Sequence, residues 1–435
     1  MSKKVIENSK LNPFELMILL YLLLQPLLLK WAIDKSFIKY IQIILLAYFI
    51  LRLVKTKQIC KSTIIVNAIS IILILINLLK FGIGEYYYFN LIICGFGNIM
   101  ILVFLGNLIK NKRKNIISQI IKIFYVFSNC YFIINIPIIL KQLEKTYFMF
   151  RFHEMNPMYE DHITGLIGSS GTHRLTFFWI SLIVVNIYMY NKIKKKLLLI
   201  YMALQVCFMV FISSQNDNTA FFLIFPIIII QILVLLVDKI NFKLIIKIIC
   251  SFSIISVITI TLFNSNEEIK EFFNNRVLEK IYQYTNNADK HNSNIKNKEE
   301  RIELFEYALE HGDGYKLGKG IGSVTYSDKS MPIHFGMSEI SIKTYEGGLI
   351  YLIWLILIYA YYSYKIILYT DNFSDKKKRI IFVILLLDFI LFSTYTQIFS
   401  TSEILIFWGI TLLIFTMINN EDNKKAGILN NVYSK

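Results

Sequence analysis

A glycine-rich stretch is the most distinctive polar part of this sequence. Gly318-Lys319-Gly320-Ile321-Gly322-Ser323 follows shortly after Gly312-Asp313-Gly314. Consecutive backbone N–H groups in such a stretch can bind a phosphate. A compact turn between a helix and a membrane span accounts for the same residues more simply, and the spacing alone leaves both interpretations open.

Ionisable side chains lie on both sides of this stretch. His334 follows it, and an imidazole near a water boundary can exchange protons at neutral pH. Glu346 comes next, beside Gly347 and Gly348 at the start of an apolar run, and a carboxylate inside a membrane is a functional candidate by default. Arg301 precedes the glycines; it could bind an anion or pair with neighbouring glutamates on a helix surface.

Metal binding has little support in the sequence. His153 and His162 lie among Glu154, Glu160 and Asp161, but their spacing matches no metal-binding pattern. The five cysteines fall in or beside apolar segments, where they are expected to act as small buried hydrophobes. We therefore expect no metal site, no cofactor and no disulfide framework.

The composition identifies the kind of molecule that must position these residues. Of 435 residues, 55% are hydrophobic and only 17% are charged, against ~25% charged in an average soluble domain. A soluble globular enzyme and a disordered protein are both excluded. The apolar runs are long and continuous, as at 64–79 and 221–237, whereas strands of a membrane barrel would alternate apolar and polar residues.

We predict an all-α, polytopic integral membrane protein with about twelve transmembrane helices, since each run approaches the ~20 residues of a span. The first span follows three lysines and is expected to be an uncleaved anchor. The predicted spans are residues 14–33, 37–54, 62–79, 86–109, 116–140, 173–191, 197–214, 219–237, 243–263, 339–365, 380–397 and 402–418.

The distribution of charge predicts the topology. Basic clusters occupy alternate connections between spans, which by the positive-inside rule places both termini in the cytoplasm. Residues 1–263 then contain the first nine spans, with a smaller outer loop at about 141–172. Residues 264–338 form a large extracytoplasmic loop, and residues 339–435 contain the last three spans and a cytoplasmic tail. The net charge of +16 fits anionic lipid headgroups, and no nucleic-acid partner is expected.

The large loop has an organisation of its own. Residues 266–284 and 299–311 show helical spacing of apolar residues, and a polar linker at 286–298 separates them. In the second of these helices Ile302, Phe305 and Leu309 are expected on one side.

Several of these stretches together resemble a known family. They are the helix Arg301-Ile302-Glu303-Leu304-Phe305-Glu306-Tyr307-Ala308-Leu309, the turn Leu317-Gly318-Lys319-Gly320-Ile321-Gly322-Ser323, the residue His334, and the entry Tyr345-Glu346-Gly347-Gly348-Leu349-Ile350-Tyr351. In order and spacing they resemble the C-terminal half of the O-antigen polymerase and O-antigen ligase superfamily. Two features depart from that pattern: Phe335 follows the histidine, and Asn216-Asp217-Asn218 stands where many members carry an arginine.

The resemblance implies transfer of a glycan from a polyprenyl-pyrophosphate donor to a sugar hydroxyl. On this basis His334 and Glu346 are the catalytic candidates, and Arg301, Arg174 and Arg276 are the candidates for pyrophosphate binding. Arg174 could equally extend to the membrane interface without a ligand. The turn and backbone positions implied are Gly318, Gly320, Gly322, Gly347 and Gly348.

The same resemblance implies the cellular setting. The expected partners are a polyprenyl-pyrophosphate-linked oligosaccharide, the lipid bilayer, and a chain-length regulator and a flippase of the same pathway. The expected location is the bacterial cytoplasmic membrane. A surface-polysaccharide polymerase, for O-antigen, capsule or exopolysaccharide, is the leading interpretation. A ligase with a different acceptor, a flippase for the same lipid-linked unit and a non-catalytic scaffold are the alternatives.

Overall fold

A computed structural model of the chain describes residues 61–81, 114–144, 163–167, 172–215, 221–222, 224–229, 301–321, 338–368 and 386–394, with a few single residues elsewhere. Across these ranges all regular structure is helical, which confirms the predicted fold class for this part of the chain. The principal helices are α1 (Lys61–Phe81), α2 (Lys114–Glu144), α3 (Thr172–Ile193), α4 (Lys196–Gln215), α5 (Arg301–Glu310) and α6 (Glu339–Leu368).

Each of these helices lies within a few residues of a helix predicted from the sequence. Three contain segments long and apolar enough to cross a membrane: Ile117–Glu144 in α2, Lys196–Gln215 in α4 and Glu339–Tyr361 in α6. A membrane protein is therefore supported, while the count of about twelve spans stays a prediction. The predicted spans at 14–33, 37–54, 86–109, 219–237, 243–263 and 402–418, and the loop helix at 266–284, lie wholly or mostly outside the described residues, as does half of the predicted span at 380–397.

Helices α2, α3 and α4 form a bundle joined by a ring of side-chain amides. Asn129 donates to Asn186 over 2.9 Å, Asn186 donates to Gln205 over 2.7 Å, and Gln205 donates back to Asn129 over 3.2 Å. Each helix contributes one amide. Apolar and aromatic contacts surround the ring, among them an edge-to-face pair of Tyr131 and Phe178. Such polar contacts hold helices together where lipid gives no hydrophobic drive for association.

A short 3₁₀ turn, Gly165–Ile167, lies against the end of α2. The Gln142 side-chain oxygen accepts hydrogen bonds from the Thr164 and Gly165 amides at 3.1 and 2.8 Å. The Asn135 oxygen accepts one from the Leu166 amide at 2.7 Å. Two amide side chains of α2 thus accept hydrogen bonds from backbone N–H groups that have no partner in a helix or strand. Buried peptide groups require such partners.

Helix α6 is interrupted, which corrects the prediction of one continuous span at 339–365. Gly348 has φ 72° and ψ 176°, a combination that essentially only glycine adopts. Ile340 and Ile356 line the same cavity, although sixteen residues of straight helix would separate them by about 24 Å. The segment before Gly348, residues 339–347, is therefore bent toward the longer segment after it. We call residues 339–347 the entry segment.

Candidate functional site

Helix α5 packs directly on the entry segment. Leu304 and Ala308 of α5 form one buried cluster with Ile342 and Tyr345 of α6. The buried face of α5 is therefore centred on Leu304 and Ala308. Phe305 and Leu309, which the sequence predicted on one side of the helix, are only partly buried beside it.

The glycine stretch folds over the break in α6. We call residues 311–321 the glycine turn. The Lys319 amide donates to the Tyr345 carbonyl and the Gly320 amide to the Glu346 carbonyl, each over 2.8 Å. In return the Leu349 amide donates to the Gly314 carbonyl over 2.8 Å. The turn thus provides hydrogen-bond partners for the backbone groups on both sides of Gly348 that have no partner within the interrupted helix.

This arrangement decides between the two interpretations of the glycine stretch. The Gly318 amide is bonded to the Asp313 carbonyl, and the Ser323 amide to the Gly320 carbonyl. The Lys319 and Gly320 amides are bonded to α6. The described backbone N–H groups of the stretch therefore donate hydrogen bonds within the protein. This supports the compact turn and leaves these groups unavailable to a phosphate.

Glycine is required here because the two backbones are in contact. A Cβ on Gly348 would lie 2.2 Å from the Lys316 carbonyl oxygen, and one on Gly318 would lie 2.5 Å from the Glu346 carbonyl. Both residues also have positive φ values, 72° and 70°. Backbone atoms cannot move aside as a side chain can, so any other residue at either position would separate the turn from the helix.

Asn77 of α1 joins the glycine turn to the broken helix. Its side-chain nitrogen lies 3.2 Å from both the Leu317 and the Glu346 carbonyl oxygens, and its side-chain oxygen accepts from the Ile321 amide over 2.6 Å. One buried amide thus contacts three backbone groups that lie more than 200 residues away in sequence. A second link joins the same helices, since the Trp354 indole donates to the Ser70 hydroxyl over 2.8 Å.

Three charged side chains are buried in the entry segment. The Lys343 ammonium lies 2.9 Å from a carboxylate oxygen of Glu346 and 3.8 Å from one of Glu339. All three side chains are at most 4% exposed. Because a buried charge is costly unless paired, the contact with Lys343 fixes where the Glu346 side chain points. Glu346 is thus held by its side chain through Lys343 and by its backbone through the glycine turn.

A second ion pair lies on the outer surface of the glycine turn. The Lys319 ammonium donates to the Asp313 carboxylate over 3.0 Å, and both side chains are more than 40% exposed. The hydrogen bond and charge of Lys319 lower the pKa of Asp313, with smaller contributions from Lys316 and Lys80. Asp313 has φ 50°, a left-handed conformation that aspartate tolerates better than most residues.

The structure brings some of the expected site residues together. Glu346, Gly347, Gly348, Gly318 and Gly320 meet at the break in α6. Arg301 begins α5, and its side chain is outside the described residues, as are His334, Arg276 and Gly322. Arg174 lies in the first turn of α3 and is partly buried. Asp388, in the helical segment 386–394, is buried.

Sequence reasoning missed three members of this site: Asn77, Glu339 and Lys343. A signal existed for the last two, since Glu339, Lys343 and Glu346 recur at helical spacing directly before an apolar run. A lone asparagine in an apolar span gave no comparable signal. Among the described residues, no group of three histidine, cysteine or carboxylate side chains is placed to hold a metal ion.

Comparisons with family models, with curated proteins and with solved structures find no match to this chain.

Proposed function

We propose that this protein is a membrane glycosyltransferase that polymerises surface polysaccharide. It transfers glycan from a polyprenyl-pyrophosphate donor to a sugar hydroxyl of another lipid-linked repeat unit. The reaction takes place on the outer face of the bacterial cytoplasmic membrane, in a chain with about twelve spans and both termini in the cytoplasm. No metal or cofactor takes part.

One observation carries the proposal. The two stretches on which the family resemblance mainly rests, the glycine turn and the Glu346-Gly347-Gly348 entry, are about 25 residues apart in sequence and bond to each other through their backbones. Helix α5, the third stretch, packs on the same entry segment. Contact of this kind is expected if the stretches form one site.

The chemistry assigns roles to the candidate residues. The acceptor hydroxyl attacks the anomeric carbon of the donor sugar as the bond from that carbon to the pyrophosphate oxygen breaks. The hydroxyl proton passes to His334, and the negative pyrophosphate leaves toward Arg301, Arg174 or Arg276, whose guanidinium groups suit phosphate oxygens. Glu346 was expected to be catalytic. Its burial and its bond to Lys343 favour a positioning role for it.

The size ladder of surface and lipid-linked glycan in a deletion strain tests this function. Wild-type protein should restore the ladder, whereas His334→Ala and Arg301→Ala should leave single repeat units while still inserting in the membrane. His311→Ala and Lys316→Ala are the matched controls, because both residues are exposed on the glycine turn. An unchanged ladder in the deletion strain would overturn the proposal.

The same ladder distinguishes the other functions. Long chains that accumulate on lipid indicate a ligase. Full rescue by both His334→Ala and Arg301→Ala indicates a scaffold. Single units trapped on the cytoplasmic leaflet indicate a flippase, which one observation favours: a broken helix with buried charges is a recurrent feature of transporter binding sites.

A further inference from the structure

An exposed ion pair in α2 gives a measure for the buried ion pair in the entry segment. Lys141 and Glu144 are joined over 2.9 Å, and their side chains are 42% and 67% exposed. Lys343 and Glu346 have the same spacing in sequence and the same distance, but their side chains are only 4% exposed. Apolar residues of similar volume are often as stable as a buried ion pair, because the pair loses the hydration of both charges. Stability alone therefore gives no reason to bury Lys343 and Glu346.

The buried ion pairs join residues of one short segment. Lys343 contacts Glu346 three residues later and Glu339 four residues earlier. Glu339 lies in the first turn of α6, where the N-terminus of a helix also favours a negative charge. The entry segment contacts α5 through Ile342 and Tyr345, and it contacts the glycine turn through backbone groups. The two ion pairs are therefore separate from the contacts that attach α5 and the glycine turn.

The entry segment is the common support of the proposed site. Helix α5, which begins at Arg301, packs on it. The glycine turn bonds to the Tyr345 and Glu346 carbonyls. His334 precedes Glu339 by only five residues in sequence. A change in the direction of the entry segment would therefore move α5 and the glycine turn together.

We propose that Lys343 is a positioning residue for the glycosyl transfer. Its contacts with Glu339 and Glu346 fix the entry segment beside the break in α6, and through that segment Lys343 acts on the groups that meet the substrate. A displacement of about 1 Å at the reacting groups can lower a rate roughly 100-fold, so this support matters more to activity than to folding. The inference rests on the proposed function and concerns a residue outside the stretches that carry the family resemblance.

Two variants distinguish positioning from direct chemistry. Glu346→Gln removes the carboxylate but keeps a side-chain oxygen that accepts a hydrogen bond from Lys343, so it should polymerise nearly as fast as wild type. Glu339→Gln/Lys343→Met/Glu346→Gln removes all three charges at similar volume, so it should fold and melt no lower than wild type. This triple variant should polymerise about 100-fold more slowly. The rate is measured as incorporation of a pulse of radiolabelled sugar into polymer in the complemented deletion strain.

The exposed pair of α2 provides the matched control. Lys141→Met/Glu144→Gln removes an ion pair of the same spacing and distance and should polymerise as wild type does. Near wild-type rates in both Glu346→Gln and the triple variant would overturn the proposal, because the charges would then have no role in activity.

The remaining outcomes are equally decisive. Slow polymerisation by Glu346→Gln as well would mean that its carboxylate takes part in the reaction directly. A triple variant that fails to accumulate in the membrane would mean that the charges serve folding. Either result would overturn the positioning role of Lys343 while leaving the proposed function in place. If wild-type protein itself does not restore polymer, the proposed function fails, and this inference fails with it.

Discussion

The break in α6 and the α2–α3–α4 bundle both bury polar groups among apolar helices, but they use different atoms. In the bundle, three side-chain amides bond to one another between helices whose backbones are not interrupted as α6 is. At the break, backbone groups of the glycine turn and of α6 bond to each other, and Asn77 completes the contact. The bundle is therefore specified by side chains, and the break largely by the shape of the main chain.

This difference determines how each region should respond to substitution. A side-chain network can lose one member and repack, because the surrounding helices remain intact. A backbone contact cannot repack, since its groups have no alternative partner away from water. Substitutions at the break should therefore be more damaging than polar substitutions of similar size in the bundle.

Gly348→Ala should have the largest effect. The new methyl group would overlap the Lys316 carbonyl, and alanine does not adopt the conformation of Gly348. We expect a loss of at least about 3 kcal/mol in the free energy of unfolding, or failure to accumulate in the membrane. Thermal unfolding in detergent measures the loss. Ile350→Ala, at an exposed position two residues later, should lose less than about 1 kcal/mol. Equal effects would contradict the view that the backbone specifies the break.

Asn77→Ala and Asn186→Ala compare the two regions directly, because each removes one buried amide. Asn77→Ala leaves the buried Ile321 amide without its acceptor, so we expect a loss of about 2 kcal/mol. Asn186→Ala opens the amide ring, and hydrogen bonds between membrane helices contribute about 0.6 kcal/mol on average and at most about 1.7 kcal/mol. Thermal unfolding of the two purified variants gives the order, and a larger loss for Asn186→Ala would reverse the comparison.

Asp313→Asn should have the smallest effect, because the pair with Lys319 lies in water and contributes little. Lys319 lowers the pKa of Asp313, so its contribution to stability is present above the ordinary value of 3.8 and is lost as the pH falls through the lowered pKa. The difference in melting temperature between wild type and Asp313→Asn should therefore be small at pH 7 and vanish in acid. A difference that grows in acid would contradict this pairing.

The helices were largely predictable from the sequence. Long apolar runs predict α2 and α4, and the helical spacing of Ile302, Phe305 and Leu309 predicts α5. Glycines 318, 320, 347 and 348 were singled out as turn or backbone positions, and the structure places them where the glycine turn meets the break in α6. The all-helical class followed from the same runs, since nothing in them alternates as a strand does.

The break in α6 was not predictable in the same way. Gly347-Gly348 marks a weak point in a helix, but glycines also occur in helices that remain straight. The glycine turn provides the partners for the freed backbone groups, and which segment lies there is a matter of tertiary structure. The contacts of Asn77 were even less predictable from the sequence, because its partners are more than 200 residues away.

That distance has a consequence for biosynthesis. Asn77 and the Leu317 carbonyl are 240 residues apart, and ribosomes add about 5–20 residues per second, so roughly 12–48 s pass before the partner is made. During that interval α1 carries a polar amide whose final partners do not yet exist. Until the glycine turn is made, the Asn77 amide therefore has to form its hydrogen bonds with other groups.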